Sequence, residues 1–431
     1  MTNQAAAYSA KTKKKKSDLS TLRKKGYGQA LHKRLQEFAT FISELKENRA
    51  HTYSRLVLSP ADREVDIWDP YREESRKMLM FASNNYLGLA NHPYVQEQVQ
   101  KAIEKYGVGV GGPPLLNGFT RLMKELEERL AAFKGQEAAM VFPTGFQSNL
   151  GLIGGLVKKG DHIVYDHLSH ASFYDAMRLT KGKSSGFRHN DMEDLEYKLQ
   201  NLPPDTINTF IGVEGVYSMD GDLAPLDQVA AISRKYGAWL LVDDAHGTGV
   251  LGEHGSGTAE YFGIKDQVDV SMGTFSKVFA VTGGFLTGSA EMINYLRYFA
   301  RSYMFSASLP PMSLAAVLAG LDVIEREPER RTQLHDICNY ARKRLENFDF
   351  YAKPDAAIIA LSVPQHMDIR RIAYQVHECG IFLNAIEYPA VPLDQQRFRI
   401  SLMSEHTKED VDKLASCLEE AFEAEQQSID Y

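Results

Sequence analysis

Lys277 closes the stretch Ser271-Met-Gly-Thr-Phe-Ser-Lys277, about thirty residues after Asp243-Asp-Ala-His246. A lysine amine among small and hydroxylated residues can hold an aldehyde as a Schiff base. Asp243 follows the apolar run Trp239–Val242, so its carboxylate is expected at the buried end of a strand, where it needs a cationic or hydrogen-bonding partner. A protonated pyridine nitrogen would be that partner. The ion pair would keep the ring positive, and a positive ring draws electrons from a carbanion on an attached substrate, the electron-sink chemistry of pyridoxal 5'-phosphate (PLP). His246, farther along the same turn, is placed to reach the phenolate oxygen of such a ring.

The phosphate of that cofactor needs an anion site. Met140-Val-Phe-Pro-Thr-Gly145, followed by Phe146, reads as a strand, a glycine turn and a helix start, and the unpaired N–H groups of a helix start suit a phosphate. Thr274, just before the lysine, can add a hydroxyl. His170, in Asp166-His-Leu-Ser-His170-Ala-Ser, follows another apolar run and could stack on the ring and exchange a proton near the reacting carbon, with His167 a competitor. Taken singly, each of these residues is also what an ordinary strand-end loop displays. The argument rests on their joint order along the chain.

Such residues must be carried by elements that converge. Between residues 80 and 310 short apolar runs alternate with helical patterns: Ala138–Phe142, His162–Tyr165, Thr209–Val213, Trp239–Val242, Val268–Met272 and the Gly283-Gly-Phe-Leu run. This alternation predicts an α/β fold, a mostly parallel sheet covered by helices, with the ligand site on loops at the strand ends. Leu309-Pro-Pro311 ends the pattern, and residues 311–431 read as a smaller C-terminal α+β domain containing the strands Ile358–Val363 and Phe398–Leu402. Residues 1–79 read as a basic mobile tail, with eight Lys or Arg against one Asp in the first 25 residues, and then an amphipathic helix marked by Leu31, Leu35, Phe38, Ile42 and Leu45. That stripe is expected to pack on the body of the protein or a partner subunit, with peripheral contact to an anionic membrane as the alternative.

Several strings in this order resemble the α-oxoamine synthases: Ser83-Asn-Asn-Tyr-Leu-Gly-Leu-Ala-Asn-His-Pro93, Leu116-Asn-Gly118, Gly215-Val-Tyr-Ser-Met-Asp-Gly221, Val242-Asp-Asp-Ala-His-Gly-Thr-Gly249, Gly273-Thr-Phe-Ser-Lys277 and Phe305-Ser-Ala-Ser-Leu-Pro310. The resemblance runs from about residue 80 to 425. It implies a fold-type-I PLP enzyme that condenses a small α-amino acid with an acyl thioester, carried by coenzyme A or acyl carrier protein, with loss of CO2. It further implies Lys277 as the Schiff-base lysine and proton-abstracting base, His170 stacked on the ring, Asp243 on the ring nitrogen and His246 on the phenolate. Gly145 and Phe146 would offer N–H groups to the phosphate, Thr274 a hydroxyl, and Ser306 a hydroxyl from the partner subunit of a homodimer with a shared active site. Ser218 would stand near the ring, while Arg399, with Asn84, would clamp the amino-acid carboxylate. Within the family the motifs lean toward the bacterial serine-palmitoyltransferase-like branch, with 2-amino-3-ketobutyrate ligase-like and 8-amino-7-oxononanoate synthase-like enzymes as alternatives.

Two places depart from the family's usual pattern. Gly111-Gly-Pro-Pro114 lacks the arginine or histidine that often precedes the Leu-Asn-Gly segment, which points to a different amino acid or acyl acceptor site. Glu387 puts a carboxylate near the substrate loop, where it would disfavour a second anion. A transaminase or lyase of the same fold, or a non-catalytic partner subunit, are the competing readings.

Composition sets the remaining limits. A net charge of −7, without a basic patch interleaved with aromatics in the body, sets nucleic acid aside. The three cysteines are widely spaced and read as buried free thiols, not as a disulfide framework or a metal site. With neither a signal peptide nor a membrane-spanning run in the sequence, a cytoplasmic protein is expected.

Overall fold

The computed structural model describes residues 19–353 and 356–430. Its centre is a seven-stranded sheet in the order Ala138–Phe142, Gly284–Gly288, Val270–Thr274, Trp239–Asp243, Thr209–Glu214, His162–Asp166 and Lys183–Phe187. The last five strands run parallel, and Gly284–Gly288 lies antiparallel to both neighbours. The inner strands are apolar almost without interruption because helices cover both faces. One face packs Leu152, Ile153 and Phe173, and the other packs Leu195, Val229 and Ile232.

The predicted strand at Val268–Met272 is found two residues later, at Val270–Thr274, which brings Thr274 to the strand's carboxyl end. Lys183–Phe187 was not anticipated, because the polar sequence KSSGF on a sheet edge carries little apolar signal. After the Pro311–Arg326 helix, a three-stranded antiparallel sheet forms from Ile358–Ser362, Arg397–Ser401 and Asn384–Ile386.

Residues 1–79 differ from the expectation of a mobile tail and one helix. The first eighteen lie outside the described residues, but Leu19–Gly26 is already helical, with Leu19 and Leu22 half-buried and Arg23 donating to the Tyr388 hydroxyl at 2.9 Å. The amphipathic helix is present at Leu31–Glu47, yet Leu31, Leu35 and Phe38 stay exposed and do not pack on the body of the chain. Strands Glu64–Asp69 and Glu74–Met80 then form a hairpin that Ile381–Phe382 extends in parallel, so this region is tied to the C-terminal part of the chain. Cys338 and Cys417 are buried and Cys379 half-buried, all as free thiols. Among the described residues no helix is long and apolar enough to cross a membrane.

Beneath the loop that follows Asp243, Lys134 Nζ lies 2.6 Å from Asp244 Oδ2, with both side chains almost fully buried. Thr258 also donates to Asp244, through its hydroxyl at 2.6 Å. Removing one member of such a pair strands a charge, which costs roughly 3–5 kcal/mol. Lys134→Ala is therefore expected to lower the thermal midpoint sharply in calorimetry, and Lys134→Met with Asp244→Asn should recover part of the loss.

Candidate active site

The parallel strands all end on one side of the sheet, and the predicted chemistry follows those ends: His170 after Asp166, Ser218 after Glu214, His246 after Asp243 and Lys277 after Thr274. A cavity of about 270 Å³ opens there, lined by Gly145, Phe146, His170, Ser218, Asp243, Thr274 and Lys277 among others. His246 is buried and is not part of this lining. Asn84 and Arg399 form a separate polar group bonded to the Ser218 loop, and Ser306 lies outside the cavity, accepting a hydrogen bond from Gln147 Nε2 at 3.0 Å.

Asp243 is 4% exposed. Its carboxylate accepts from Asn149 Nδ2 at 2.7 Å and from the Ala245 N–H at 3.1 Å, but no cation pairs with it among the described residues. Asn149 also donates to Ser172 Oγ at 2.8 Å, and that hydroxyl lies 2.8 Å from His170 Nδ1. The Ser172 N–H donates to the same nitrogen, so Nδ1 is an acceptor and a neutral His170 carries its proton on Nε2. Burial lowers the His170 pKa, which favours that neutral form. His167, the competitor, is bound through Nδ1 to the Phe187 carbonyl at 3.0 Å and does not line the cavity.

A second polar chain runs from His246 Nδ1 to the Tyr86 hydroxyl at 2.6 Å, on to Asn84 Oδ1 at 3.1 Å, and from there to Arg399 Nη1 at 3.1 Å. Burial, reinforced by the charges of Lys277 and Arg399, holds His246 well below its usual pKa. Arg399 donates further to the Ser218 carbonyl at 2.6 Å and to Ser401 Oγ at 2.8 Å. It has no carboxylate partner among the described residues. Arg397, two positions earlier, contrasts with it by pairing with Asp220 at 2.6 Å and stacking on Tyr351.

At the anion end, Thr144 caps the Gly145–Leu156 helix by accepting from the Gln147 N–H. The N–H groups of Gly145 and Phe146 have no partner among the described residues. A Cβ on Gly145 would lie 2.7 Å from Thr274 Oγ1, so glycine is what lets this helix end approach the strand carrying Thr274. Free helix-end donors beside a hydroxyl fit a phosphate. A buried carboxylate lacking a cation fits a pyridinium, and a buried lysine between them fits the aldehyde. The residues therefore suit PLP.

Glu214, Asn149, Ser172 and Tyr86 were not singled out from the sequence. Glu214 stands directly opposite Asp243 in strand register, lines the cavity and leaves Oε1 without a partner. Burial and then the Asp243 charge raise its pKa well above the usual carboxylate range. His189 lies outside the cavity lining. Its ring bridges Asp166 at 3.1 Å and Asp222 at 2.9 Å, and these bonds overcome burial to raise its pKa to about 10. A cationic His189 thus ties the His170 loop to the Ser218 loop. Glu387, expected to repel an anion, is paired with Arg370 at 2.8 Å, so its charge is already compensated.

Comparison with known proteins agrees with this geometry. The aminotransferase class I and II family model matches residues 76–418. A serine palmitoyltransferase of Sphingobacterium spiritivorum is 40% identical over 93% of this chain and 98% of its own. An 8-amino-7-oxononanoate synthase of Lysinibacillus sphaericus is 41% identical over 79% of this chain and 88% of its own. A serine palmitoyltransferase solved with PLP superposes with a TM-score of 0.84 at 30% identity, over 92% of this chain and 100% of the other. The chain belongs to the aminotransferase class I and II family and, within it, to the α-oxoamine synthases. It is a PLP-dependent acyltransferase of fold type I.

Burial lowers the Lys277 pKa from 10.5 to about 8, with Asp243 and Glu214 opposing the shift. The neutral, nucleophilic amine therefore grows in as pH rises through about 8. Recombination of the cofactor-free protein with PLP, followed by the visible band, should quicken about tenfold per pH unit below that midpoint. Glu214→Gln removes a carboxyl that opposes the lowering of the Lys277 pKa and should therefore move the midpoint down. An unchanged midpoint would show that Glu214 exerts no charge on Lys277.

Proposed function

We propose that this enzyme condenses a small α-amino acid with an acyl thioester, releasing CO2 and the free thiol. The observation that carries this reading is Arg399, a guanidinium only 5% exposed and near enough to Lys277 and His246 to depress both their pKa values, yet without a carboxylate of the protein's own. A buried cation in that condition awaits an anion. The α-carboxylate of an amino acid meets the need.

PLP supplies an electrophilic aldehyde and an electron-withdrawing ring that acidifies the amino acid's α-carbon. In this reading Lys277 would hold the aldehyde, and its amine is the group that would take the α-proton, on Nζ. Asp243 holds the ring nitrogen's proton. His170, with its tautomer fixed by Ser172, would pack against the ring, and His246 would contact the phenolate. Gly145, Phe146 and Thr274 bind the phosphate, with Ser306 reaching it from the partner subunit of a homodimer. Arg399 and Asn84 orient the carboxylate so that the bond to be broken stands across the ring plane, where the developing charge is best delocalised.

The serine-palmitoyltransferase-like branch is favoured over an 8-amino-7-oxononanoate synthase-like one, since the relative matched over 98% of its own length bears the former name. The identity of the amino acid is read by titrating glycine, alanine, serine and cysteate against the visible band. Thiol and CO2 released on adding acyl-CoA then test the reaction, and a transaminase or lyase would release neither. Lys277→Ala is expected to lose the band and all turnover. Arg399→Ala should keep the band while weakening amino-acid binding by roughly 2–4 kcal/mol, as when one partner of a buried ion pair is removed. Unchanged amino-acid affinity would take Arg399 out of the site.

A further inference from the structure

We infer that His189, although outside the cavity lining, is a positioning residue for the cofactor site, holding the turn that presents His170 against the turn that presents Ser218. His189 follows the edge strand Lys183–Phe187, whose neighbour His162–Asp166 separates it from Thr209–Glu214. From that edge its ring reaches the loops of both inner strands. Nδ1 lies 3.1 Å from either oxygen of Asp166, and Nε2 lies 2.9 Å from Asp222 Oδ2. Asn190 repeats the bridge, donating its N–H to Asp166 Oδ2 at 2.9 Å and its Nδ2 to Asp222 Oδ2 at 2.9 Å. Its backbone is left-handed, with φ +53°, a conformation that asparagine adopts more readily than most residues.

The two carboxylates shape the turns they belong to. Asp166 Oδ1 accepts from the Leu168 N–H at 2.8 Å, and the Asp166 carbonyl accepts from the Ser169 N–H at 3.0 Å, in the turn that leads to His170. Asp222 closes the other turn, because its carbonyl accepts from the Tyr217 N–H at 2.9 Å and Ser218 lies within that loop. The Ser218 carbonyl in turn accepts from Arg399. No other cation pairs with Asp166 or Asp222 among the described residues, so a neutral residue in place of His189 would leave both carboxylates uncompensated. Tyr217 meets the His189 ring edge-on at 4.4 Å, with its own pKa driven well above the usual range by burial; the His167 ring lies 6.4 Å away, and Arg188 is paired with Asp191 at 2.8 Å. Burial disfavours charge on His189, but the bonds to both carboxylates outweigh it and raise the pKa from 6.5 to about 10. The stability owed to that charge is therefore full below the unfolded value and is lost as pH rises to about 10. The inference rests on the reading of His170 as the residue packed on the ring.

The test reads the circular dichroism of the visible cofactor band in the full-length holoenzyme from about pH 7 to about pH 11, beside the thermal midpoint. The native band should change as pH passes about 10, where His189 loses its proton. His189→Gln, which keeps a donor without the charge, should show altered dichroism already at neutral pH and no step near pH 10. Asp222→Asn keeps the shape of its turn and removes one opposite charge, so its step should fall by about one to three pH units. That variant keeps the test decisive if the glutamine variant misfolds. A lower thermal midpoint with native dichroism in His189→Gln would mark a purely structural residue and overturn the inference, as would a step that stays near pH 10 in either variant. His170→Ala is the reference. If it leaves the dichroism unchanged, the reading of His170 falls and the inference with it; if it alters the dichroism while His189→Gln does not, the inference fails alone.

Discussion

A carboxylate buried at a strand end with no cation beside it is the constraint around which the site is arranged. Asp243 has two hydrogen-bond donors and no ion-pair partner among the described residues, although an ionised carboxylate taken out of water costs several kcal/mol unless it is compensated. The surroundings make sense once a cationic ring is assumed opposite it. Glu214, its neighbour in register, is pushed toward its neutral form by burial first and then by the Asp243 charge. Lys277 feels the pull of both carboxyls toward its charged form, but desolvation is the larger effect and brings the amine near the range where it can act as nucleophile and base. One unpaired charge thereby shapes the protonation of the groups around it.

Arg397 and Arg399 show how the same side chain on one strand can serve two ends. Both are buried and share the strand Arg397–Ser401. Arg397 is satisfied by Asp220, the Met219 carbonyl and the Tyr351 ring, so it fastens the 215–222 loop to the C-terminal sheet. Gly221, at φ +80°, allows that contact, since a Cβ there would come within 2.4 Å of the Ile358 carbonyl oxygen. Arg399 makes only neutral hydrogen bonds and keeps its charge uncompensated. A buried ion pair and a buried guanidinium with only neutral partners therefore stand two residues apart.

Much of this was legible in the sequence. Asp243, His246, Thr274 and Lys277 follow apolar runs, and in a parallel sheet that alone places them on the ligand-bearing edge. The family strings supplied Arg399 and Asn84, which no local pattern would have picked out. What escaped detection depends on tertiary neighbours. Asn149 reads as one polar residue in a glycine-rich helix, and only the fold shows it donating to Asp243 and Ser172 together. Glu214 looks like any acid at a strand end until the register sets it against Asp243. Glu387 was misjudged because its compensating cation, Arg370, comes from the helix Ile369–Glu378, and linear spacing does not reveal that contact. The hairpin of residues 64–80 was hidden by charged side chains alternating on its solvent side.

The two halves of the proposed chemistry sit on different sheets. The residues proposed for the aldehyde, ring and phosphate belong to the central sheet and its loops, whereas Arg399 belongs to the C-terminal sheet. Asn84 follows the hairpin that Ile381–Phe382 extends, and Phe81 accepts from the Ser401 N–H at 2.8 Å, so Asn84 and Arg399 are set by one connected framework. That framework meets the central sheet through the Ser218 carbonyl, Asp220 and the His246–Tyr86–Asn84 chain. An amino acid held by its nitrogen on one side and its carboxylate on the other would span this junction. The angle at its α-carbon would then be fixed by how the two sheets meet, and not by any single residue. The buried polar bonding is concentrated at that junction, where a substrate held at both ends would need its orientation fixed.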